Sequence, residues 1–152
     1  AVAVACSVIA NAADVAGCTA RLIVKIASCE GAIETMVRVV LDQERDKKAG
    51  CEAARALANI SEPLSAREDD EEAAARMRKD GANHRAGGVD PEELRGWIMD
   101  TKGATTALVR ACVSGSDEAK EHGARCISNI SGGGNSFSNL LTREQGTVAV
   151  LV

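Results

Sequence analysis

The residues best suited to binding chemistry form two copies of a polar pair, an Arg followed four positions later by an Asn. The first copy is Arg55 with Asn59, and the second is Arg125 with Asn129. Residues four apart share one face of a helix, so both members of each pair project in the same direction. Arg binds carboxylates through paired hydrogen bonds, and Asn both donates and accepts. The spacing therefore predicts a surface that binds an acidic or polar extended segment.

Other polar residues extend this predicted surface. Glu52 and His122 each lie three positions before an Arg, on much the same helix face. A fainter third copy near the start of the chain has Ser7 at the Arg position and Asn11 at the Asn position. A local alternative for the Asn residues is a hydrogen bond to the next turn at a helix end. The candidate partner-binding surface consists of Asn59, Asn129, Arg55, Arg125, Asn11, Glu52 and His122.

Catalytic and metal-binding constellations have weaker support. His122 and Cys126 lie four apart on one predicted helix, but no second pair of ligands accompanies them, so we expect no metal site. The glycine run 132–134 lacks the strand before it and the Lys-Ser or Lys-Thr after it that a phosphate-binding loop needs. No Ser-His-Asp or Cys-His arrangement has a supporting context. We expect a protein that is not an enzyme and that has no cofactor.

The composition excludes several classes of function. Of 152 residues, 45% are apolar, yet the chain has one Trp, one Phe and no Tyr, so its core must consist of small aliphatic side chains. The formal net charge of −4 does not favour nucleic-acid binding, which normally requires a basic face. No apolar run approaches the roughly 18 residues of a membrane span. The apolar start has no basic region before it, unlike a signal peptide. We expect a protein that is cytoplasmic or otherwise intracellular, without membrane insertion.

Cysteine spacing points to free thiols. The six cysteines contain no CxxC pair and fall among small apolar residues at helical positions, where a thiol packs as a small hydrophobic group. We expect them to be reduced and structural. They are Cys6, Cys18, Cys29, Cys51, Cys112 and Cys126.

The elements that position the polar residues recur along the chain. Segment 118–131, EAKEHGARCISNIS, has a close copy at 48–61, KAGCEAARALANIS, and a fainter one at 1–13. A helix repeated in this way has no core of its own and stacks on its relatives. The predicted packed faces are Ala49, Ala53, Ala56, Leu57 and Ile60 in one copy, and Ala119, Gly123, Cys126, Ile127 and Ile130 in the other.

A second type of helix also recurs, each time after a glycine. Segment 31–38 matches 103–110 at a distance of 72 positions, and a further copy begins at Gly146, 43 positions after Gly103. The shorter step lies within the roughly 40–47 residues of armadillo and HEAT repeats. The longer step predicts an insertion, which we place at 64–88, where acidic residues 68–72 and several glycines break the pattern. That segment either folds back onto the Arg-bearing surface as an internal competitor or remains solvated, and we favour a solvated loop.

Helix boundaries follow from local signals. Asp90, Pro91 and two Glu residues form the strongest helix start, with Asp as the N-cap and Pro at the first helical position. Ser116 caps the last copy of the repeated helix, and a helix is predicted over 32–41. Trp97 lies on the helix that begins at Pro91, and we expect it to pack between repeats. A final short helix is predicted around Phe137 and Leu141.

Three-helix units of this length, with Gly opening the second helix and A-L-x-N-[IL]-S ending the third, resemble armadillo repeats. The motif stands as 56–61 (ALANIS), as 126–131 (CISNIS) and more weakly as 8–13. The resemblance implies an all-α fold, a right-handed α-α superhelix in which the third helices line a groove. In peptide-binding members the third-helix Asn bonds to the backbone of an extended partner, which matches Asn59, Asn129 and Asn11. Some members have Trp where this chain has Arg55, Arg125 and Ser7.

Together these patterns predict a single armadillo-like array over residues 1–152, cut through helices at both ends. The leading hypothesis is a protein–protein interaction scaffold that binds an extended segment along its third helices. The first alternative is a structural subunit of a large multiprotein assembly, held by its outer helical faces with the groove empty. A third hypothesis is a regulatory array beside a catalytic domain outside these residues. Other proteins are the expected partners.

Overall fold

The computed structural model describes residues 2–14, 20–62 and 91–132, and this part of the chain contains helices and no strands. The predicted all-α class is confirmed for these residues. The insertion at 64–88, the short helix near Phe137 and the copy that begins at Gly146 lie outside them. The described helices are α1 (Val2–Asp14), α2 (Ala20–Ala27), α3 (Ala32–Leu41), α4 (Lys47–Ser61), α5 (Pro91–Asp100), α6 (Ala104–Ser114) and α7 (Asp117–Ser131).

The two long helices that carry the Arg–Asn pairs begin at side-chain caps. The Asp46 carboxylate accepts a hydrogen bond of 2.9 Å from the Ala49 amide at the start of α4. The Ser116 hydroxyl accepts one of 3.2 Å from the Ala119 amide at the start of α7, which confirms the predicted cap. Each cap satisfies one of the amides that the first turn of a helix leaves without a partner.

Glycines of matching conformation precede α3 and α6. Gly31 has φ of 75° and Gly103 has φ of 84°, in the left-handed region that a side chain would disfavour. The carbonyls of both glycines accept a 2.9 Å hydrogen bond from the amide four residues later, at Thr35 and Ala107. The repeated Gly in the sequence therefore corresponds to a repeated backbone turn.

The helices pack in two series of contacts, one for each type of repeated helix. The helix α4 packs against α1 and also against α7, so the three copies of the repeated helix are in contact in chain order. The copies of the second helix type, α3 and α6, pack against each other, and they also pack against α4 and α7 respectively. The short helix α5 contacts α4, α6 and α2. Among the described helices, none combines the length and the apolar character needed to cross a bilayer.

The core consists of small aliphatic side chains, as the composition predicts. Every residue of the two predicted packed faces is buried, in α4 and in α7. Leu57, Ile60 and Ile130 are among the largest fully buried side chains, and α5 adds Leu94 and Ile98 to them. Trp97 is half-buried and packs against this core.

Hydrogen bonds of polar side chains hold the turn between α3 and α4 against α6. The Gln43 side chain is buried, and its Nε2 donates to the Arg110 carbonyl at 3.1 Å and to the Ser114 hydroxyl at 3.3 Å. In return, Arg110 Nη1 donates to the Leu41 carbonyl at 3.1 Å. Gly50 lets α4 approach this turn, since a Cβ there would lie 2.4 Å from Gln43 Cβ. These hydrogen bonds join residues that are far apart in the sequence.

Candidate partner-binding surface

The Asn residues of the predicted surface link the three copies of the repeated helix. In α4, Asn59 Nδ2 donates to the Ala10 carbonyl of α1 at 3.0 Å. In α7, Asn129 Nδ2 donates to the Ala58 carbonyl of α4 at 3.2 Å. Each acceptor is the residue immediately before the Asn of the preceding helix. The same bond is therefore made twice, at the same helical positions.

The Arg residues make a second repeated bond between the same helices. Arg55 Nη2 donates to Asn11 Oδ1 of α1 at 2.7 Å. Arg125 Nη2 donates in the same way to Asn59 Oδ1 of α4. Each guanidinium thus binds the Asn of the preceding helix. We refer to Asn11, Arg55, Asn59, Arg125 and Asn129 as the Arg–Asn ladder.

The centre of the ladder is engaged within the protein. Asn59 is only 1% exposed, and its amide nitrogen and oxygen are bonded to α1 and α7 respectively. Asn11 is exposed and Asn129 is half-buried. The sequence placed all three in a groove available to a partner, whereas in the structure Asn59 serves the contact between helices. The more accessible polar groups of the surface are those around it.

Glu52 orients the first Arg of the ladder. Its Oε2 accepts from Arg55 Nη2 at 2.7 Å and from Arg55 Nε at 3.1 Å. The two side chains are 19% and 24% exposed, so this ion pair lies at the edge of the surface and is partly shielded from water. The carboxylate holds the guanidinium towards Asn11, which limits how far the Arg55 side chain can rotate.

His122 and Arg125 supply polar atoms that no hydrogen bond satisfies. His122 Nδ1 and Arg125 Nε are both shielded from solvent without a partner among the described residues. Burial lowers the pKa of His122, and the positive charge of Arg125 lowers it further, although Glu121 acts in the opposite direction. His122 is therefore neutral at pH 7. Near α7 the surface carries the Arg125 guanidinium beside this imidazole, with the Glu118 and Glu121 carboxylates close enough to act on it.

Two polar residues take part that the sequence did not single out. Ser61 Oγ accepts from Asn129 Nδ2 at 3.2 Å and donates to the Ala58 carbonyl at 2.9 Å. Arg95 of α5 is 6% exposed, and its Nε donates to the Ser61 carbonyl at 3.2 Å. The Ser that closes the repeated motif was a usable signal for the first contact. No local pattern indicates the second, since Arg95 belongs to a different helix type.

The thiols lie mainly in the core. The described cysteines are free: Cys6, Cys51 and Cys126 are buried, Cys112 is half-buried and Cys29 is exposed. Burial raises the pKa of the Cys126 thiol to about 12, so this residue carries a proton at neutral pH. Across residues 2–14, 20–62 and 91–132, no three His, Cys, Asp or Glu residues converge as a metal site would require. Cys18 lies outside these ranges.

Comparison with known proteins adds no relative to this description. No protein-family model, curated protein or solved structure matches the chain. The internal repeats are therefore the basis for assigning a class: two helix types, each recurring with the same local geometry, and one set of bonds between successive copies.

Proposed function

We propose that this chain is an armadillo-like interaction scaffold without enzymatic activity, in which α1, α4 and α7 act as successive third helices along a groove. The observation that carries the proposal is the ladder, because equivalent Asn and Arg bonds join α1 to α4 and α4 to α7. Equivalent bonds at equivalent positions are typical of helices related by a common step. The resemblance to armadillo repeats implies a right-handed superhelix for helices repeated in this way.

The ligand class follows from the charges beside the ladder. Arg55 and Arg125 contribute two guanidinium groups, Glu52 contributes one carboxylate, and His122 is uncharged at neutral pH. The three charged side chains among these sum to one positive charge, while Glu118 and Glu121 of α7 also act on His122 and the net charge of the chain is −4. Arg also offers donors beyond those used in the ladder. We propose an extended protein segment with acidic or polar side chains as the partner.

Peptides of one length and different charge provide the test. An acidic extended peptide should bind in fluorescence anisotropy, while its counterpart with Gln and Asn in place of Glu and Asp should bind more weakly. We expect His122→Lys, which adds a charge without removing a ladder bond, to tighten binding of the acidic peptide several-fold. His122→Glu should weaken it by a similar factor. Raising the salt concentration should reduce all these differences.

A matched pair of variants separates binding from folding. Arg55→Glu combined with Arg125→Glu should abolish peptide binding, but it also removes two ladder bonds. Arg38→Glu with Arg45→Glu makes the same charge change on exposed residues outside the ladder and should retain most binding. Circular dichroism must show helical spectra for both pairs. Equal binding of the acidic peptide by His122→Lys and His122→Glu would refute the proposed ligand class.

A structural role in a larger assembly is the second candidate function. Large apolar side chains are exposed on helices without ladder residues: Val113 of α6 is 61% exposed and Leu22 of α2 is 40% exposed. Exposed apolar groups favour contacts with other proteins when they lie in one patch. In this case Val113→Ser would disrupt the assembly, while the ladder charge variants would leave it intact.

A further inference from the structure

A cleft away from the ladder has the opposite electrical character. It has a volume of about 540 Å³ and opens between the α2–α3 turn and the end of α5. Ligand sites in proteins commonly have volumes of roughly 300–1,000 Å³. None of the ladder residues lines this cleft. It is therefore a separate feature of the surface.

Three acidic residues and one basic residue line the wall of this cleft. Glu30, Glu34 and Asp100 are exposed residues of the lining, and Lys102 is its sole basic residue. None of the ion pairs found within the described part of the chain involves these three carboxylates. The cleft thus carries two negative charges in excess, which attract a cation.

The rest of the wall is apolar and includes the single Trp of the chain. Trp97 is half-buried, and Ala27 and Ile33 beside it in the lining are buried. The face of an indole ring attracts a cation electrostatically. An apolar wall also suits the methylene groups that precede the charge in Lys and Arg. Carboxylates next to an indole and aliphatic groups match both parts of a basic side chain.

Backbone hydrogen bonds fix both sides of the cleft. On the α2–α3 side, the Cys29 carbonyl accepts from the Ala32 amide at 3.0 Å, and Gly31 adopts its left-handed conformation. On the α5 side, Thr101 Oγ1 donates to the Trp97 carbonyl at 2.8 Å. The cleft is formed by ordered turns, so little rearrangement is needed for a side chain to enter it.

We propose that this cleft binds a basic side chain, Arg or Lys, of a partner protein. The alkyl part of the side chain lies along Ala27, Ile33 and Trp97, and its charge lies among Glu30, Glu34 and Asp100. This site goes beyond the proposed ladder surface, because it selects the opposite charge on a different face. A partner that contacts both surfaces would need acidic and basic residues in separate segments.

The single Trp makes the cleft directly observable. With one Trp and no Tyr in the chain, the intrinsic emission reports on Trp97. Titration with acetyl-Gly-Arg-Gly-amide into the millimolar range should change this emission in a saturable way. The same peptide with citrulline, a neutral isostere of Arg, should cause no saturable change. A flat titration with the Arg peptide, or an equal response to citrulline, would overturn the proposal.

Charge variants test the assignment of residues. Glu34→Gln with Asp100→Asn should weaken binding of the Arg peptide by about tenfold, because two attracting charges are removed. Lys102→Gln should strengthen it by about two- to threefold for the reverse reason. Glu118→Gln with Glu121→Gln, on exposed residues of α7, serves as the matched control and should leave binding unchanged. Unchanged affinity in the first variant would overturn the site, while the ladder proposal would stand.

Discussion

Asn59 lies at the centre of the ladder, where it joins three helices through one side chain. It donates to the Ala10 carbonyl of α1 and accepts from Arg125 of α7 while being only 1% exposed. Burying an amide costs little free energy when both its donor and its acceptor are hydrogen-bonded within the protein. Removing that amide leaves its buried partners without a hydrogen bond, which is costly. The Asn59 side chain therefore mainly aligns the helices. In the proposed function, the more exposed neighbouring side chains contact the ligand.

Replacement of Asn59 should therefore cost more than replacement of its counterpart in α7. Asn59→Ala removes the bond to Ala10 and leaves the Arg125 guanidinium without its acceptor, so we expect a loss of about 2–3 kcal/mol in the free energy of unfolding. Asn129 occupies the equivalent position in α7 but is half-buried. Asn129→Ala should therefore lower the free energy of unfolding by only about 1 kcal/mol. Urea denaturation followed by circular dichroism measures both. Equal losses would contradict the central role of Asn59.

The polar identity of the surface was predictable from sequence, but its internal pairing was not. The four-residue spacing predicts Arg55 and Asn59 on one helix face, and both side chains donate to residues of α1. The bonds, however, run from Arg55 to Asn11 and from Arg125 to Asn59, over 44 and 66 positions. Helix periodicity relates residues within a helix and carries no information on which helix lies opposite. The partners became visible only with the packing of α1, α4 and α7.

At the scale of the elements, glycines decide how closely helices and turns approach. A Cβ at Gly50 of α4 would lie 2.4 Å from Gln43 Cβ and 3.1 Å from Gln43 Cα. Gly123 of α7 is similarly tight, since a Cβ there would lie 3.0 Å from Ala111 Cβ. A Cβ at Gly96 of α5, in contrast, would meet no neighbouring atom within 4 Å. Gly50 and Gly96 therefore form a matched pair, with the same residue in two different environments.

Alanine substitutions should have opposite effects at these two positions. Gly50→Ala forces α4 away from the α3–α4 turn and disturbs the buried Gln43 side chain, so we expect destabilisation by about 1–3 kcal/mol. Gly96→Ala removes a flexible residue from a helix without a clash, and should stabilise by about 0.5–1 kcal/mol. Thermal denaturation of the two variants shows whether each substitution raises or lowers the stability. A stabilising Gly50→Ala would contradict the close approach at Gln43.

The element boundaries show which local signals sufficed. Side-chain caps and glycines are chemical signals within a few residues, and Ser116, Gly31 and Gly103 mark helix starts as predicted. The buried faces of α4 and α7 followed from periodicity alone. The burial of Gln43 did not, because a polar residue in a charged turn normally faces water. Its partners, Arg110 and Ser114, come from a different helix.

At the scale of the whole molecule, α4 joins most of the described structure. It packs against α1, α3, α5, α6 and α7. Nearly the entire helix from Ala49 to Ser61 is buried, with Glu52 and Arg55 as the half-exposed exceptions. Since five of the six other described helices pack on α4, we expect these helices to lose their structure together when α4 unfolds.

The buried thiols predict a loss of stability in alkali. Burial raises the pKa of Cys6, Cys51, Cys112 and Cys126 above the ordinary value of 9.0, to about 12 for Cys126. A thiol that holds its proton more tightly when folded stabilises the protein fully below 9.0, and this contribution disappears as the pH rises through the folded pKa. The free energy of unfolding should fall by at least about 1 kcal/mol between about pH 8 and pH 10.

A variant isolates the contribution of the most deeply buried thiol. Cys126→Ala has no titrating group at this position, so its stability should fall less steeply than that of the parent protein over the same pH range. The comparison uses urea denaturation at each pH. Cys29→Ala, which replaces an exposed thiol, serves as the control and should keep the steeper parent dependence. Parallel curves for the parent and Cys126→Ala would contradict the assignment.

The ladder also gives the row of helices a direction. The donating Arg and Asn groups always belong to the later helix, and the accepting oxygens always belong to the earlier one. The middle helix, α4, does both: it donates to α1 through Arg55 and Asn59 Nδ2, and it accepts from α7 through Asn59 Oδ1 and the Ala58 carbonyl. Because α4 and α7 have Arg and Asn at the same helical positions, an engineered chain that duplicates this unit in the natural order should form the same donor–acceptor pairs at the new junction.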